Sequence, residues 1–334
     1  MSGLAAYVAK RLMVTLLILF GVSIAVYLIF AFLPFDPASL TCGKNCKDPG
    51  IIEANRVRLG YDKPFFEQYW LFLTGLFVGR SYGVGQAAFH CPAPAFGYSF
   101  MEHACVTDLL AEALPVTVAL AIGALVLWLI VGVGLGVLSA RFKGKFVDTA
   151  STIFVLIGTS LPTFLTGLIL IVFVVIKWHL LPFPSGGYTG PFENPVRWFL
   201  NMLLPWITLA FAYAALYTRF VRSQVLETST EDYIRTARAK GLSEGRILGK
   251  HTLRAALAPI ATMAGLDFAG LLGGAILTEA VFNLPGLGRL SLGAVIEYDL
   301  PIIVACTILA AAIVVIMNLI VDLLYAFIDP RVRV

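Results

Sequence analysis

Six apolar runs, each about twenty residues or longer, constrain this chain more than any other feature. They lie near residues 12–33, 114–140, 149–178, 202–220, 260–282 and 302–328. At about 1.5 Å per residue, each is long enough to cross a hydrocarbon core of roughly 30 Å as a helix. Every backbone amide at that depth must be satisfied within the protein, so runs of this length select helices. Composition agrees: 59% of the 334 residues are hydrophobic and only 13% are charged, with mean hydropathy +0.88. Soluble domains lie far from these values. The chain reads as an all-α membrane protein with six transmembrane helices.

Basic residues set the expected orientation. Lys10 and Arg11 precede the first run, Arg141, Lys143 and Lys145 separate the second from the third, a polar stretch at 229–259 separates the fourth from the fifth, and Arg331 and Arg333 follow the sixth. All fall on one side, which the positive-inside rule makes cytoplasmic together with both termini. Topology alone explains much of this excess. Lys10 and Arg11 also resemble the start of a signal peptide, but the run that follows exceeds a signal core of about 7 to 15 residues and lacks a clean cleavage site. It is expected to be a retained span.

Three regions follow from this pattern: the tail and first helix (1–33), an external segment (34–113), and a core of five further spans (114–334) with a cytoplasmic loop at 228–259. Pro34 and Pro37 stop the first helix. The external segment is too long to lack structure, and 57–77 has helical spacing after Pro64 that suits an interfacial helix carrying Tyr69 and Trp70. Cys42, Cys46, Cys91 and Cys105 all lie here. They predict two disulfides with three possible connectivities; free thiols, or a zinc site with His90 and His103, are the alternatives. Cys306 reads as a small apolar residue of the sixth span.

Within the spans, Pro115 suits a first helical turn, Pro162 predicts a kink, and Gly123, Gly132, Gly134 and Gly136 offer surfaces for close packing. Asp267 and Glu279 lie in the fifth run, where an ionised group costs roughly 2.5 kcal/mol or more. Both are pathway candidates. Glu279 is placed to reach the external interface, and Asp267 to serve either a pathway or a hydrogen bond between helices.

The polar stretch 229–259 carries seven Lys, Arg and His residues. Ser229 with Asp232, and Thr228 with Glu231, give the S/T-x-x-D/E start signal of a helix that Gly241 ends; Ser243 can cap a second one running toward Pro259. The expectation is two short helices with a sharp corner. Ala237 and Gly241 lie four apart, a face that admits a close partner, with Arg235 and Arg238 at its rim. The sequence contains no G-x-x-x-x-G-K-[ST] phosphate loop, TVGYG filter or H-E-x-x-H pair. No enzyme activity, cofactor, metal or nucleic-acid partner is expected of this chain itself.

The stretch YIRTARAKGLSEGRILGKHTLRAALAPI resembles the coupling loop of ABC importer membrane subunits, whose pattern is E-A-A, three residues, G, nine residues, I-x-L-P. Aligned on Gly241, Ala237 and Leu253 match, while Arg235, Thr236, His251 and Arg254 depart. The A-R-A-K-G version is similar to the dipeptide and oligopeptide branch, B-type subunit. So are AKRLMVTLLILFGVSIAVYLIF, LGYDKPFFEQYWLFL, SLPTFLTGLIL, TEAVFNLPGLGRL and YAFIDPRVR. Phe35, the insert near 81–95 and Asp267 depart from it.

The resemblance implies the type I ABC importer fold in a bacterial inner membrane. It implies a C-type permease partner, two ATPase subunits carrying ATP and Mg, and an extracytoplasmic binding protein. Arg235, Ala237, Arg238, Lys240, Gly241 and Leu242 would couple to the ATPases. The implied substrate is a peptide, with haem, nickel or glutathione as alternatives. An ATP-independent channel or secondary transporter, and a non-transporting anchor, are the readings from other classes.

Overall fold

The computed structural model describes residues 2–32, 37–40, 48–83, 89–181 and 188–328. Cys42, Cys46, Phe35, Arg331 and Arg333 lie outside them. The first apolar run forms α1 (Ser2–Ala31), followed by the short helices α2 (Pro37–Leu40) and α3 (Pro49–Leu59). The helix expected over 57–77 is interrupted. Gly60 closes α3, and a new helix, α4 (Phe65–Val78), begins after Pro64. Trp70 of α4 is exposed, whereas Tyr69 turns inward and shares a 2.8 Å hydrogen bond with Ser23 of α1.

Beyond α4 the described residues of the segment include four short strands that helical periodicity did not anticipate. β1 (Arg80–Tyr82) pairs antiparallel with β2 (Phe89–Cys91), and β3 (Tyr98–Ser99) with β4 (Ala104–Cys105). A disulfide between Cys91 and Cys105 ties the two ribbons together. Tyr82, Cys91 and Ala95 are buried beneath Tyr61, Phe89, Tyr98 and Phe100. Among the described residues no cluster has metal-ligand geometry, and His90 meets Ser81 at 3.0 Å instead.

Five further long elements complete the membrane part. α5 (Val106–Arg141) starts before the expected boundary, so Pro115 is interior rather than in the first turn. The third run is broken, not kinked: α6 (Phe146–Ser160) and α7 (Thr163–Leu170) meet at 101°. The ring of Pro162 holds Leu161 in extended backbone at φ −89°, ψ 123°, which ends α6. A π-helical turn, Ile171–Lys177, extends α7. Then come α8 (Pro195–Thr228), α9 (Asp232–Ala239), α10 (Glu244–Arg246), a second π-helical turn (Ile247–Thr252) and α11 (Leu253–Leu272). The fifth run was expected to continue to 282, yet α11 stops at Leu272. Gly274 follows at φ +116°, where a Cβ would stand 2.8 Å from the backbone of Gly288. Only glycine fits there, and the chain restarts as α12 (Ile276–Val281), α13 (Leu287–Glu297) and α14 (Leu300–Ile328). Among the described residues five helices are long and apolar enough to cross a membrane, six if α6 and α7 form one span.

The chain separates into two compact units that interleave in sequence. One comprises Met1–Thr117, Leu272–Ile276 and Pro285–Leu319. Its core gathers Val106, Leu110, Leu287, Ile302 and Ala305, with the free thiol of Cys306 buried among them. Ser99 of β3 donates a short hydrogen bond to Asp299, the residue before α14, and burial pushes the Asp299 carboxyl above the usual carboxylate range.

The other unit comprises Val118–Leu271, Leu277–Leu284 and Ile320–Val334. Here α5 and α8 touch at their backbones. A Cβ on Gly132 would lie 2.6 Å from the Tyr217 side chain, one on Gly136 2.7 Å from Val221, and Gly123 lies under the Trp206 indole. Gly134, also expected to pack closely, meets nothing within 4 Å. Two positions from Gly132, it falls on the opposite side of the helix from Gly132 and Gly136.

Candidate functional site

The polar stretch forms a corner between two long helices. α8 runs through to Thr228 because the Ser229 hydroxyl bonds back to the Val225 carbonyl at 2.6 Å. Ser229 therefore does not cap the next helix. Glu231 stands at the N-cap of α9 without a side-chain hydrogen bond, and its carbonyl receives Ile234 and Arg235. The expected stop at Gly241 is present: its φ is +75°, and its N–H closes on Arg238 at 2.9 Å. Ser243 heads α10 through its carbonyl, not its hydroxyl. The second helix is not short, since α10, the π-helical turn and α11 follow one another without a break and carry Pro259 inside. A corner joined directly to a long helix on each side is stiffer than a paired hairpin.

Inside the corner Ile234, Ala237 and Ile247 are buried together, with Leu242 against them. This separates two residues expected to share one face. Ala237 points into the corner's own core, while Gly241 is exposed beyond the helix end. A helical face ends where the helix ends, so spacing by four no longer aligns residues across a left-handed turn. Arg238 braces the corner from outside, its guanidinium meeting Glu244 at 2.7 and 3.3 Å. Arg235 reaches Asp232 at 3.5 Å and is 70% exposed. Exposed pairs of this kind contribute about 0.2 to 1 kcal/mol, so the apolar cluster holds the corner and the arginines remain open to a partner. Lys240 is exposed beside them.

One cluster near the corner escaped the sequence reading. Asp148, in the first turn of α6, accepts hydrogen bonds from Arg222 Nε at 2.7 Å and Nη2 at 2.9 Å, from Ser139 Oγ at 2.6 Å and from Gly144 N at 2.9 Å. Four groups thus bind α8 to the α5–α6 turn. Arg222 stands six residues before the end of α8, so the helix that delivers α9 is clamped just upstream of it. The bidentate geometry favours arginine over lysine. An acid opening an apolar run was a signal, but its partner lies 74 residues away.

The two pathway candidates differ. Asp267 of α11 accepts a 2.6 Å hydrogen bond from the Tyr217 hydroxyl of α8, so the bond between helices is present. Glu279 of α12 is fully buried, which removes the expected contact with an interface. Of the four candidate disulfide cysteines, Cys91 and Cys105 are bonded.

Two family models match the chain. One, described as the binding-protein-dependent transport system inner membrane component, matches residues 132–334, and its N-terminal counterpart matches 4–121. A probable peptide ABC transporter permease of Sinorhizobium fredii is 37% identical over 330 residues, covering 99% of this chain and all of the relative. A putative peptide transport system permease of Brucella abortus is 34% identical, with 99% of both chains covered. The glutathione transport system permease GsiC of Escherichia coli is 36% identical, with 98% of both covered. Among solved structures, an inward-facing MetNI methionine ABC transporter chain aligns with TM-score 0.55 and 21% identity over 67% of this chain and 98% of that one. At that identity the likeness concerns the fold alone, which is that of a type I importer permease.

Proposed function

The chain belongs to the family of binding-protein-dependent transport system inner membrane components, and from that premise we propose that it is the peptide-carrying membrane subunit of an ATP-driven importer. The observation that carries the reading is end-to-end likeness to peptide permeases at 34 to 37% identity, with no large part left over on either side.

In this reading a similar second permease completes the pathway, two ATPase subunits bearing ATP and Mg bind the corner at 228–259, and an extracytoplasmic protein delivers the substrate. Both termini and the corner face the cytoplasm. The geometry supplies a lever. ATPase closure displaces α9, the Ile234–Ala237–Ile247 cluster keeps α9 fixed against the start of the next helix, and the Asp148–Arg222 clamp makes α5, α6 and α8 follow. Packed elements of this kind move as rigid bodies, which is what switching access from one membrane side to the other requires.

The likeness to GsiC supports glutathione, itself a small peptide, as a second reading. Reconstituting the four-component complex and measuring uptake and ATP hydrolysis against dipeptides, longer peptides, glutathione, nickel and haem tests both. Stimulation by peptides is expected. Stimulation by haem or nickel alone overturns the substrate class, and uptake without ATP overturns the importer.

A further inference from the structure

We infer that Asp267, Tyr217 and Tyr213 form a site for a primary ammonium group, the amino terminus of the peptide in transit. The inference rests on the peptide-import reading and adds the part of the substrate that this chain would hold. All the residues involved belong to one compact unit of the chain.

Three observations converge. The first is an imbalance of charge. Asp267 lies in an apolar helix, and its hydrogen bond comes from a neutral phenol, Tyr217, at 2.6 Å. Among the described residues no basic side chain is recorded within ion-pair distance of it. Carboxylates at membrane depth face protein or a water-filled path and take a cationic partner. Asp148 of the same unit shows the satisfied arrangement, with a bidentate arginine and two further donors. Among the described residues Asp267 has one donor and remains partly exposed, which leaves lone pairs for a further donor.

The second is aromatic surface. Tyr213, one turn before Tyr217 on α8, is partly exposed and within electrostatic reach of the Asp267 carboxylate. Its ring is stacked on Trp128 of α5 at 4.5 Å between centroids and 23° between planes. Trp128 is fully buried and also packs against Tyr217 at 6.0 Å, so it fixes both tyrosines without itself reaching a ligand. A carboxylate beside a held aromatic ring is a favourable setting for a compact cation. The acid supplies charge-assisted hydrogen bonds and the ring its quadrupole.

The third is depth. Along the helix axes Tyr213 and Asp267 each lie roughly 10 Å, and Tyr217 roughly 5 Å, inside the ends of the apolar runs at 220 and 260 that flank the corner. In a hydrocarbon core of roughly 30 Å those distances place the cluster within the apolar layer on the corner's side, where a carboxylate needs a partner.

The test uses the assembled four-subunit complex in proteoliposomes, with its binding protein at saturating concentration. The probes are a peptide with uncharged side chains and the same peptide lacking only its amine. In Asp267→Asn, maximal uptake of the amine-bearing peptide is expected to fall roughly tenfold, the loss of one charge-assisted contact. The half-saturating concentration of loaded binding protein should stay within twofold of wild type, because that protein docks elsewhere. Uptake of the amine-free peptide should be equal in the two complexes. Asp267→Glu, which keeps the charge, should restore at least half of the uptake, and Tyr217→Phe should lose roughly threefold.

Unchanged uptake in Asp267→Asn would make the carboxylate a neutral structural group and overturn the inference. Equal loss for both peptides would do the same. Failure of the two permease subunits to assemble would assign Asp267 to a base on the other subunit, again overturning it. Absence of stimulation by any peptide in the wild-type complex would instead refute the peptide-import reading.

Discussion

The corner at the end of α8 and the strand-rich cap before α5 are both polar excursions from an apolar chain, yet they are held in opposite ways. The cap is self-sufficient. A disulfide joins its ribbons, four aromatic rings cover Tyr82, Cys91 and Ala95, and the Ser99–Asp299 bond fastens β3 to the start of α14. The corner's own small core is Ile234, Ala237 and Ile247, and Arg235, Lys240 and Gly241 are left uncovered. A region that keeps its shape by internal contacts can present a fixed surface. One with a minimal core and stiff connections is suited to be gripped by another protein and to pass the motion on.

The strongest way to break this comparison is at Ile234. It is fully buried, and Ile234→Ala removes the centre of the corner's core at a local cost of about 2 to 5 kcal/mol. Trypsin should then cut the purified subunit between 235 and 254, and co-purification with the ATPases should fall, while the cap stays resistant. A corner as resistant as before would mean that something other than this cluster holds it.

The reciprocal change is Cys91→Ser with Cys105→Ser. Opening a bridge that spans 14 residues should cost about 2 to 4 kcal/mol, read as earlier thermal unfolding of the cap with unchanged cleavage at the corner. Equal sensitivity in both regions would show that they are not independent.

Asp148→Asn keeps the shape of the clamp and removes its charge. Melting of the subunit is expected to fall by roughly 5 °C, and ATP hydrolysis to continue with less uptake per ATP. Loss of both in proportion would give the clamp a purely structural role.

The smallest effects are electrostatic. Because burial raises the Asp299 pKa in the folded state, its contribution to stability is fully present below the unfolded value near 4 and is lost as pH rises through the folded value. The cap should therefore melt at a lower temperature at pH 7 than at pH 4, and Asp299→Asn should flatten that dependence. At the exposed Arg238–Glu244 pair, Arg238→Gln should change stability by less than about 1 kcal/mol. A larger loss would mean that the bridge, not the apolar cluster, sets the corner.

Local chemistry was legible where a single residue decides it. Gly241 ends a helix because few other residues accept its positive φ, and Pro162 interrupts a run because its ring excludes helical backbone at Leu161. Where two local outcomes compete, the sequence misled. The Ser229 hydroxyl could cap the helix that follows or bond back to the one before, and continuation of α8 selected the second. The same holds for Ala237, whose small side chain suits a partner's surface as well as a miniature core.

Hydrophobic length, basic-residue placement and the spacing around Gly241 determined, from the sequence alone, that this is a helical membrane protein with a polar corner between two of its spans. Each is a short-range property, carried by neighbours within one or two helical turns. Tertiary structure decided what joins across the chain: Cys91 to Cys105, Arg222 to Asp148, Ser99 to Asp299, and Tyr217 to Asp267. Apolar helices bury their stripes in any of several registers with nearly equal gain. Which polar groups meet is therefore fixed only when backbones approach at glycines such as Gly132 and Gly136 and bring distant side chains within bonding distance.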